Sequence, residues 1–444
     1  MITLHSEQIK ALDLIDKGHN VFLTGGGGVG KSKVLEIFIQ KYKDTEPTNW
    51  NKTLGITSTT GSSALLIGGT TIHSFSGIGV SKESDEHLIA RLQRKRYLSK
   101  RWKQLKILII DEISMMTPRT FHILNMLCKT IRKCDKPFGG VQLILSGDFC
   151  QLGPILEQHI LHHALEFCFE TTDWIEADIR IVHFKHIHRQ SDSEFINTLQ
   201  QIRMGVSNQD TTSILMSRYK TKLENTYGVL PVQLFPTREK ANDLNQRYFR
   251  QLNPETIIDF SLNITIERKS DDIILDNVKD IERKVKTQLP IDDNLSLCKG
   301  CQVILVINLA IDEGLVNGSK GIITDFNDKQ CPVVQFSNGK IKTIDYYTWE
   351  IDEGQYIIKA KGMPLILGYG CTIHRSQGMS LDLAVVDIGK SVFTGTSGYG
   401  QIYVALSRVK SLEGLSILNF DPTRIRCHPK VIEFYRKLVH QVEG

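Results

Sequence analysis

The sequence predicts an α/β fold of two doubly wound parallel sheets facing one another, and three observations lead there. The apolar runs "VFLTG", "LGITST", "ILIID" and "QLILSGD" alternate with helix-period segments in the first half. Uninterrupted apolar strands of this kind suit parallel sheets covered on both faces. The runs "VQLFPT", "PLILGYGCTIH", "LAVVDIG" and "LSILNF" repeat the alternation later in the chain, which implies a second sheet of the same class. Between them, short strands broken by "NGSKG" and "SNGK" turns read as a small antiparallel barrel.

The expected division is residues 1–185 for the first unit, 186–294 with 363–444 for the second, and 295–362 for the barrel-like insertion. The first helix, "SEQIKALDLIDKG", offers Ser6 as N-cap and Gly18 past its end, and "TPRTFHILNMLCKTIRKC" places Pro118 just inside its start, as helix termini prefer. "EFINTLQQIRMG" closes on Gly205, and "TREKANDLNQRYFRQL" supplies a further helix of the second block. A strongly basic helical stretch, about residues 80–106, is an insertion in the first unit. Its Arg91, Arg94, Lys95, Arg96, Lys100, Arg101 and Lys103 form either a surface for an anionic partner or a solvated helix face.

Only the first block carries a glycine loop. Gly25, Gly26, Gly27, Gly28, Val29, Gly30, Lys31 and Ser32 follow an apolar strand and open a helix, the spacing and context of a phosphate-binding loop. Glycines let backbone N–H groups face the phosphates, and the helix N-terminus adds partial positive charge. Lys31 is expected on the β- and γ-phosphates of ATP and Ser32 on Mg²⁺. Further on, "ILIIDE" delivers Asp111 and Glu112 to the C-terminal edge of a strand, where ligands bind in such sheets. Asp111 is expected to hold Mg²⁺ and Glu112 to orient or deprotonate the attacking water. Negative charge spread over the transferred phosphoryl group calls for arginine from a second unit; the candidates are Arg189 in "HIHRQ" and Arg408 in "YVALSRV".

Composition narrows the setting. The chain has 444 residues, 41% of them apolar and 23% charged, an ordinary globular balance that argues against disorder. A formal charge of +5 permits a nucleic-acid partner without demanding one,. No apolar run reaches the 18 residues a membrane span needs,. The N-terminus lacks the basic and apolar profile of a secretory signal,, so an intracellular setting is expected: cytoplasmic in a bacterium or phage, nuclear or in a virus factory otherwise. Nine scattered cysteines fit a reducing compartment,. Cys298 and Cys301 together with Cys371 and His374 are enough for four zinc ligands, but their separation exceeds finger spacings and isolated thiols are the preferred reading.

In order, "SEQIKA", "TGGGGVGKS", "TSTTGSSALLIGGTTIHSFSGIG", "LIIDEISMM", "LSGDFCQLGPI", "HRQSDSEFINTLQQIRMG", "FPTREKANDLN", "GLVNGSKGIITDF", "TIHRSQGMSLD" and "YVALSRVKSLEGLSILNFDPTRIRCHPKVIEFY" resemble the Pif-one family of DNA helicases. These are the 5′-to-3′ subgroup of helicase superfamily one, relatives of RecD. The resemblance spans residues 3 to 435 and implies two RecA-like domains of the P-loop NTPase class, a helical wedge at the basic stretch and a small β domain at the barrel-like insertion. It also implies an ATP-dependent motor that moves 5′ to 3′ on single-stranded DNA and unwinds forked duplex, with G-quadruplexes or RNA–DNA hybrids as further substrates. Roles in replication, repair, recombination or telomere-type maintenance follow from the same resemblance.

By position, Gln8 resembles the glutamine that reads adenine, and Gln151 the one that links γ-phosphate to the domain interface. Arg189 and Arg408 resemble the two arginines placed on the γ-phosphate, and Gly378 the cleft-facing glycine that couples ATP to DNA. For DNA, the matching residues are Thr59, His73 and Phe75 in the first unit and Thr237, His374 and Ser376 in the second. Hydroxyls and imidazoles suit phosphates and an aromatic suits base stacking, while core packing competes for His73 and Phe75.

Four departures stand out: Gly153 replaces a proline, no aromatic precedes Arg189, Arg375 replaces a lysine, and "GKSVFTGTSGYGQ" is longer than usual. A monomer is expected, with single-stranded-DNA-binding or replication proteins as partners. The alternative is an ATP-switched single-stranded nucleic-acid binder that does not unwind; retention of Glu112 speaks for hydrolysis instead.

Overall fold

The computed structural model describes residues 4–79, 83–154, 165–224, 227–269, 278–353, 355–389 and 398–443. Residues 390–397 of the long "GKSVFTGTSGYGQ" stretch and the first residues of the basic segment lie outside that set.

Strands β1 (Val21–Thr24), β2 (Leu54–Ser58), β3 (Thr70–Thr71), β4 (Ile107–Asp111), β5 (Gln142–Gly147) and β6 (Arg180–His183) form one sheet in the order β3-β2-β4-β5-β1-β6. Every pairing in it is parallel. Side chains of successive strand residues point to opposite faces, and the core divides accordingly. Phe22, Leu108, Ile110, Leu143 and Leu145 pack on one face; Val21, Leu23, Ile109 and Ile144 pack on the other with Val34, Leu35 and Phe38. Burial on both faces is why these strands read as unbroken apolar runs. Since β4, β5 and β1 are neighbours, the loops leaving their C-terminal ends meet at one edge.

The second parallel sheet has the order Gly370–Thr372, Val232–Phe235, Ala384–Ile388, Leu415–Phe420. Here the run "PLILGYGCTIH" is not one strand. Leu365–Leu367 pairs antiparallel with Gln302–Leu305, and only Gly370–Thr372 joins the parallel sheet. At Gly370 a Cβ would lie 2.8 Å from the Ala241 carbonyl, so a glycine is needed where the chain passes between sheets.

The antiparallel residues fall into three hydrogen-bonded sheets. Five strands between Gln302 and Leu367 make one, Tyr347–Asp352 and Tyr356–Gly362 pair with Asn263–Arg268 in another, and Asn294–Leu297 pairs with Ile258–Ser261 in the third. Antiparallel structure thus begins before residue 295, because Asn263–Arg268 finds its partner far along the chain.

The basic stretch is two helices, Asp85–Arg94 and Arg96–Gln104, whose Leu88, Leu92, Leu98 and Trp102 are buried in the first core. Arg94, Lys95, Arg96, Lys100 and Lys103 remain exposed, whereas Arg101 turns inward and donates to Phe75 O at 2.7 Å. The first helix spans Ser6–Asp16 with His5, not Ser6, at the cap position. The last helix, Pro429–Glu443, returns to the first sheet: Val431 and Tyr435 are in its core, and the Phe434 ring stacks on Phe169 at 4.3 Å. The end of the segment 363–444 therefore packs with the first unit. Among the described residues no helix is long and apolar enough to cross a membrane.

Candidate functional site: a nucleotide cleft between two sheets

The glycine loop leaves β1 and enters the helix Lys31–Thr45. Gly25, Gly28 and Gly30 have φ of +139°, +84° and +83°, conformations that side-chain-bearing residues rarely adopt. The Lys31 ammonium donates to Gly25 O at 2.7 Å and Gly26 O at 3.0 Å. Desolvation holds Lys31 below the usual lysine value, opposed by the Asp148 and Glu112 carboxylates.

β4 supplies the acidic pair. Asp111 is 5% exposed and its Oδ2 accepts from Ser63 Oγ at 3.0 Å. Glu112 has a left-handed backbone, φ +52°, and its buried Oε2 has no hydrogen-bond partner among the described residues. Burial first, and Asp111 second, raise the Glu112 pKa to about 7. A carboxyl poised there is suited to taking a proton near neutral pH. Ser32 is exposed to the cleft. Its hydroxyl and the Asp111 carboxylate are hard oxygen donors of the kind Mg²⁺ prefers, so the donor set fits that ion.

The opposite wall comes from the second sheet. Arg408 follows the helix Gln401–Ser407, is 3% exposed, and donates to Val404 O and Ser407 Oγ at 3.1 and 2.9 Å. Arg189 donates to Ser380 Oγ at 3.1 Å and Ser407 O at 2.9 Å. Burial, then the neighbouring Arg408, pulls Arg189 down to about 9. Neither guanidinium is ion-paired with a carboxylate among the described residues. Two adjacent buried cations without an anion are costly; the arrangement is complementary to a negatively charged ligand. Both face the glycine loop: a Cβ on Gly27 would lie 2.8 Å from Arg408 Nη2 and 3.2 Å from Arg189 Nη1.

Gly27, Gly28, Gly30, Lys31, Ser32, Asp111, Glu112, Arg189 and Arg408 line one cleft of about 1180 Å³, together with Gln151 and Gly378. Gln151 reaches Asp148 Oδ2 at 3.4 Å, and its own carbonyl would lie 2.3 Å from a Cβ on Gly400, the residue opening the arginine-bearing helix. Gly378, φ +79°, stands across from Leu66 of the first unit. Gln8 is buried over the loop, its Nε2 only 2.6 Å from where a Gly30 Cβ would sit. Of the residues expected at the nucleotide, all but Gln8, Gly25 and Gly26 line this cleft.

Sequence reasoning missed the layer beneath. The Tyr403 hydroxyl accepts from Gly27 N–H at 2.8 Å. Asp148, fully buried, takes a two-pronged ion pair from Arg203 at 2.7 and 2.9 Å and a hydrogen bond from Tyr435 Oη at 3.1 Å. Asp148, Arg203 and Tyr403 lie inside the quoted motifs, but nothing in residue type separates such a brace from a surface pair.

Beside this cleft runs a second groove of about 430 Å³, lined by Thr60, Arg238, Asn242, Asn245, His374 and Arg375 among others. His374 is exposed there and Thr237 is exposed at the adjacent helix start. Thr59 donates its hydroxyl to Glu112 O at 2.7 Å, joining the groove side to the acidic pair. Desolvation holds His73 below the ordinary histidine value. Of the six residues expected on DNA, His374 is in the lining of this groove; Thr59, His73, Phe75, Thr237 and Ser376 are not. Phe75 is 9% exposed and packs edge-on to Trp102 at 5.5 Å beneath Arg101. Ser376 is fully buried and donates to Ile373 O at 2.8 Å. At these two positions the ring is held in the core and the hydroxyl by its own turn, so neither side chain is presented to the groove in this structure. Cys298 and Cys301 lie together, Sγ to Sγ 3.2 Å, and among the described residues they join no converging group of three or more ligands. Arg375, in the lysine position, is tied to Pro290 O at 2.7 Å and to Asp292.

Comparison with known proteins places this architecture. A PIF1-like helicase family model matches residues 3–213, and one for the 2B domain of DNA helicase Pif1 matches residues 281–326. The crystal structure of Pif1 helicase from Candida albicans is 32% identical and superposes with a TM-score of 0.76, over 99% of this chain and 100% of that one. Pif1 helicase from Bacteroides in complex with ADP-AlF3 and ssDNA is 27% identical with a TM-score of 0.64, covering 100% and 99%. The ATP-dependent DNA helicase PIF1 of Xenopus laevis is 34% identical over 440 residues, 98% of this chain and 65% of that protein. The chain thus spans just under two thirds of the length of that relative. Motifs, fold and cleft agree: the chain belongs to the PIF1-like helicase family.

Proposed function

We propose that this protein is an ATP-dependent DNA helicase that translocates 5′ to 3′ on single-stranded DNA and unwinds forked duplex. The observation that carries the reading is the pair of buried guanidinia, Arg189 and Arg408, set against the Gly27 backbone. The arginines come from one half of the molecule and the phosphate loop from the other, so nucleotide hydrolysis is linked to the distance between halves. The Bacteroides relative bound to ADP-AlF3 and ssDNA supports the same ligands here.

In this mechanism Lys31 leaves the Gly25 and Gly26 carbonyls for the β- and γ-phosphates, and Gln8 orients the base. Ser32 and Asp111 would hold Mg²⁺, which would supply neutralisation of phosphate charge. Glu112 accepts a proton from the attacking water, while Arg189 and Arg408 stabilise charge on the equatorial oxygens. Gln151, braced on Asp148, and Gly378 relay cleft closure to the groove. There Thr59 and His73 grip the strand from one side and Thr237 and His374 from the other. Phe75 and Ser376 support the grips from within. Alternating grip, set by closing and reopening the cleft, advances the chain along DNA. Residues 1–185, 186–294 with 363–444, and 295–362 are proposed as the two motor domains and the inserted β domain, with the last helix strapped across to the first.

The test is ATP hydrolysis with and without a short oligonucleotide, followed by strand displacement on duplexes with 5′ or 3′ tails. Stimulation by DNA and displacement from the 5′ tail alone are expected. Hydrolysis indifferent to DNA, or displacement from the 3′ tail, would sink the proposal.

A further inference from the structure

Three histidines from two separate stretches of chain converge at the outer end of the nucleotide cleft. His5 precedes the helix Ser6–Asp16, and its backbone N–H donates to Gln8 Oε1 at 3.1 Å. His186 and His188 lie on the segment between β6 and the helix Ser193–Arg203. That segment is fixed to the glycine loop by the His188 N–H, which donates to Gly28 O at 2.9 Å. The His5 and His186 rings stack with centroids 3.9 Å apart; His188 lies 5.1 Å from the first and 4.7 Å from the second. Stacking accounts for the first pair only, because the His188 ring is inclined to its neighbours by 54° and 71°. One ring nitrogen from each residue lies within 4.8 Å of the other two. Among the described residues no other trio of histidine, cysteine or carboxylate ligands converges in this way.

We propose that His5, His186 and His188 form a binding site for a borderline divalent transition ion, zinc foremost, at the mouth of the nucleotide cleft. Zinc takes imidazole nitrogens at about 2.0–2.1 Å in a tetrahedron, which sets neighbouring nitrogens roughly 3.4 Å apart by that geometry. The trio must contract to reach this, and His186 and His188 are both exposed and free to turn. Three protein ligands leave a fourth position for water, the pattern of an open rather than a closed structural site. Imidazole donors discriminate against Mg²⁺ and Ca²⁺, so this site is chemically distinct from the Ser32 and Asp111 oxygens.

The ion would join two walls of the cleft: the helix carrying Gln8 and the segment delivering Arg189. Gly30 lies between them, a Cβ there being 2.6 Å from Gln8 Nε2 and 3.5 Å from the His188 ring. Drawing the trio together narrows the end through which a base would pass, so zinc occupancy sets nucleotide affinity. This inference requires only the nucleotide cleft, not unwinding.

The experiment titrates the nucleotide-free full chain with Co²⁺ in excess Mg²⁺, which keeps the hard oxygen site occupied, and follows visible ligand-field absorption. One Co²⁺ per chain is expected, displaced by one Zn²⁺. His186→Ala, an exposed position outside the cleft lining, is expected to weaken binding by at least about tenfold, since even supporting groups of metal sites are worth that much. No saturable binding, or equal binding by the variant, overturns the site. A fluorescent ATP analogue titrated with and without Zn²⁺ then tests the coupling: a zinc-dependent shift in the wild type that disappears in His186→Ala supports it. Affinity that zinc leaves unchanged in the wild type overturns it.

Discussion

Gly27 and Arg408 meet so closely across the cleft that one added carbon on the glycine would lie 2.8 Å from the guanidinium. The phosphate loop and the arginine belong to different sheets, separated by more than half of the sequence, and the contact exists only because the sheets face each other. The atoms in the way are ends of side chains, Arg408 Nη2 and Arg189 Nη1, which can yield without unfolding the loop. Gly27→Ala is therefore expected to keep its melting temperature within a few degrees while DNA-stimulated turnover falls about 10²-fold, the usual cost of misplacing a catalytic group by about 1 Å. Gly25→Ala would fare worse, since its Cβ meets the Phe184 backbone carbonyl. Wild-type turnover in Gly27→Ala would remove the arginines from the mechanism.

The Glu112 carboxyl, raised to about 7 by burial and by Asp111, predicts a pH profile. Only the ionised form accepts a proton, so single-turnover hydrolysis should rise with pH and level off above about 7. Glu112→Gln should lose 10²- to 10⁴-fold in rate, roughly what a general base contributes, and lose that rising limb with it. Stability runs the opposite way. A folded-state pKa above the ordinary 4.5 favours the protonated folded form, so this group's contribution is full below about 4.5 and disappears as pH rises through about 7. A profile that is flat from pH 5 to pH 8 in the wild type would dismiss Glu112 as the base.

Phe75 separates core from groove. Its ring contacts Trp102 and Arg101, so Phe75→Ala should cost about 3–5 kcal/mol of stability, the range for emptying an aromatic core position. Phe75→Leu should retain single-stranded-DNA affinity within about twofold, where loss of a stacked base would cost about 1–3 kcal/mol. Fluorescence anisotropy with a labelled oligonucleotide decides. A tenfold loss in Phe75→Leu would return the ring to the DNA.

Arg203 and Asp148 form the ion pair beneath the loop, with side chains 9% and 0% exposed. Removing one partner strands a buried charge, so Arg203→Met is expected to destabilise the chain by about 3–5 kcal/mol in denaturant unfolding. A loss under about 1 kcal/mol would mean that the pair carries no structural weight.

The glycine loop, Asp111 and Glu112 were legible in the sequence because each depends on local geometry: a strand ends and a loop or helix begins within a few residues. That Arg189 and Arg408 would face the glycine loop was legible only through motif resemblance, since nothing local distinguishes a cleft arginine from a surface one. That the Phe75 ring is held in the core and the Ser376 hydroxyl by its own turn was not legible, because motif position does not say which way a side chain turns. The run "PLILGYGCTIH" looked like one strand because both halves are buried, although in different sheets.

By itself, then, the sequence determined two parallel sheets and a glycine-rich turn, properties set by burial of the strands on both faces and by glycine backbone freedom. Tertiary structure alone decided that Tyr403 would meet Gly27, that Tyr435 would reach back to Asp148, and that His5 would stack on His186. Those contacts join residues far apart in the chain, and their energies arise only when packing excludes water around both partners.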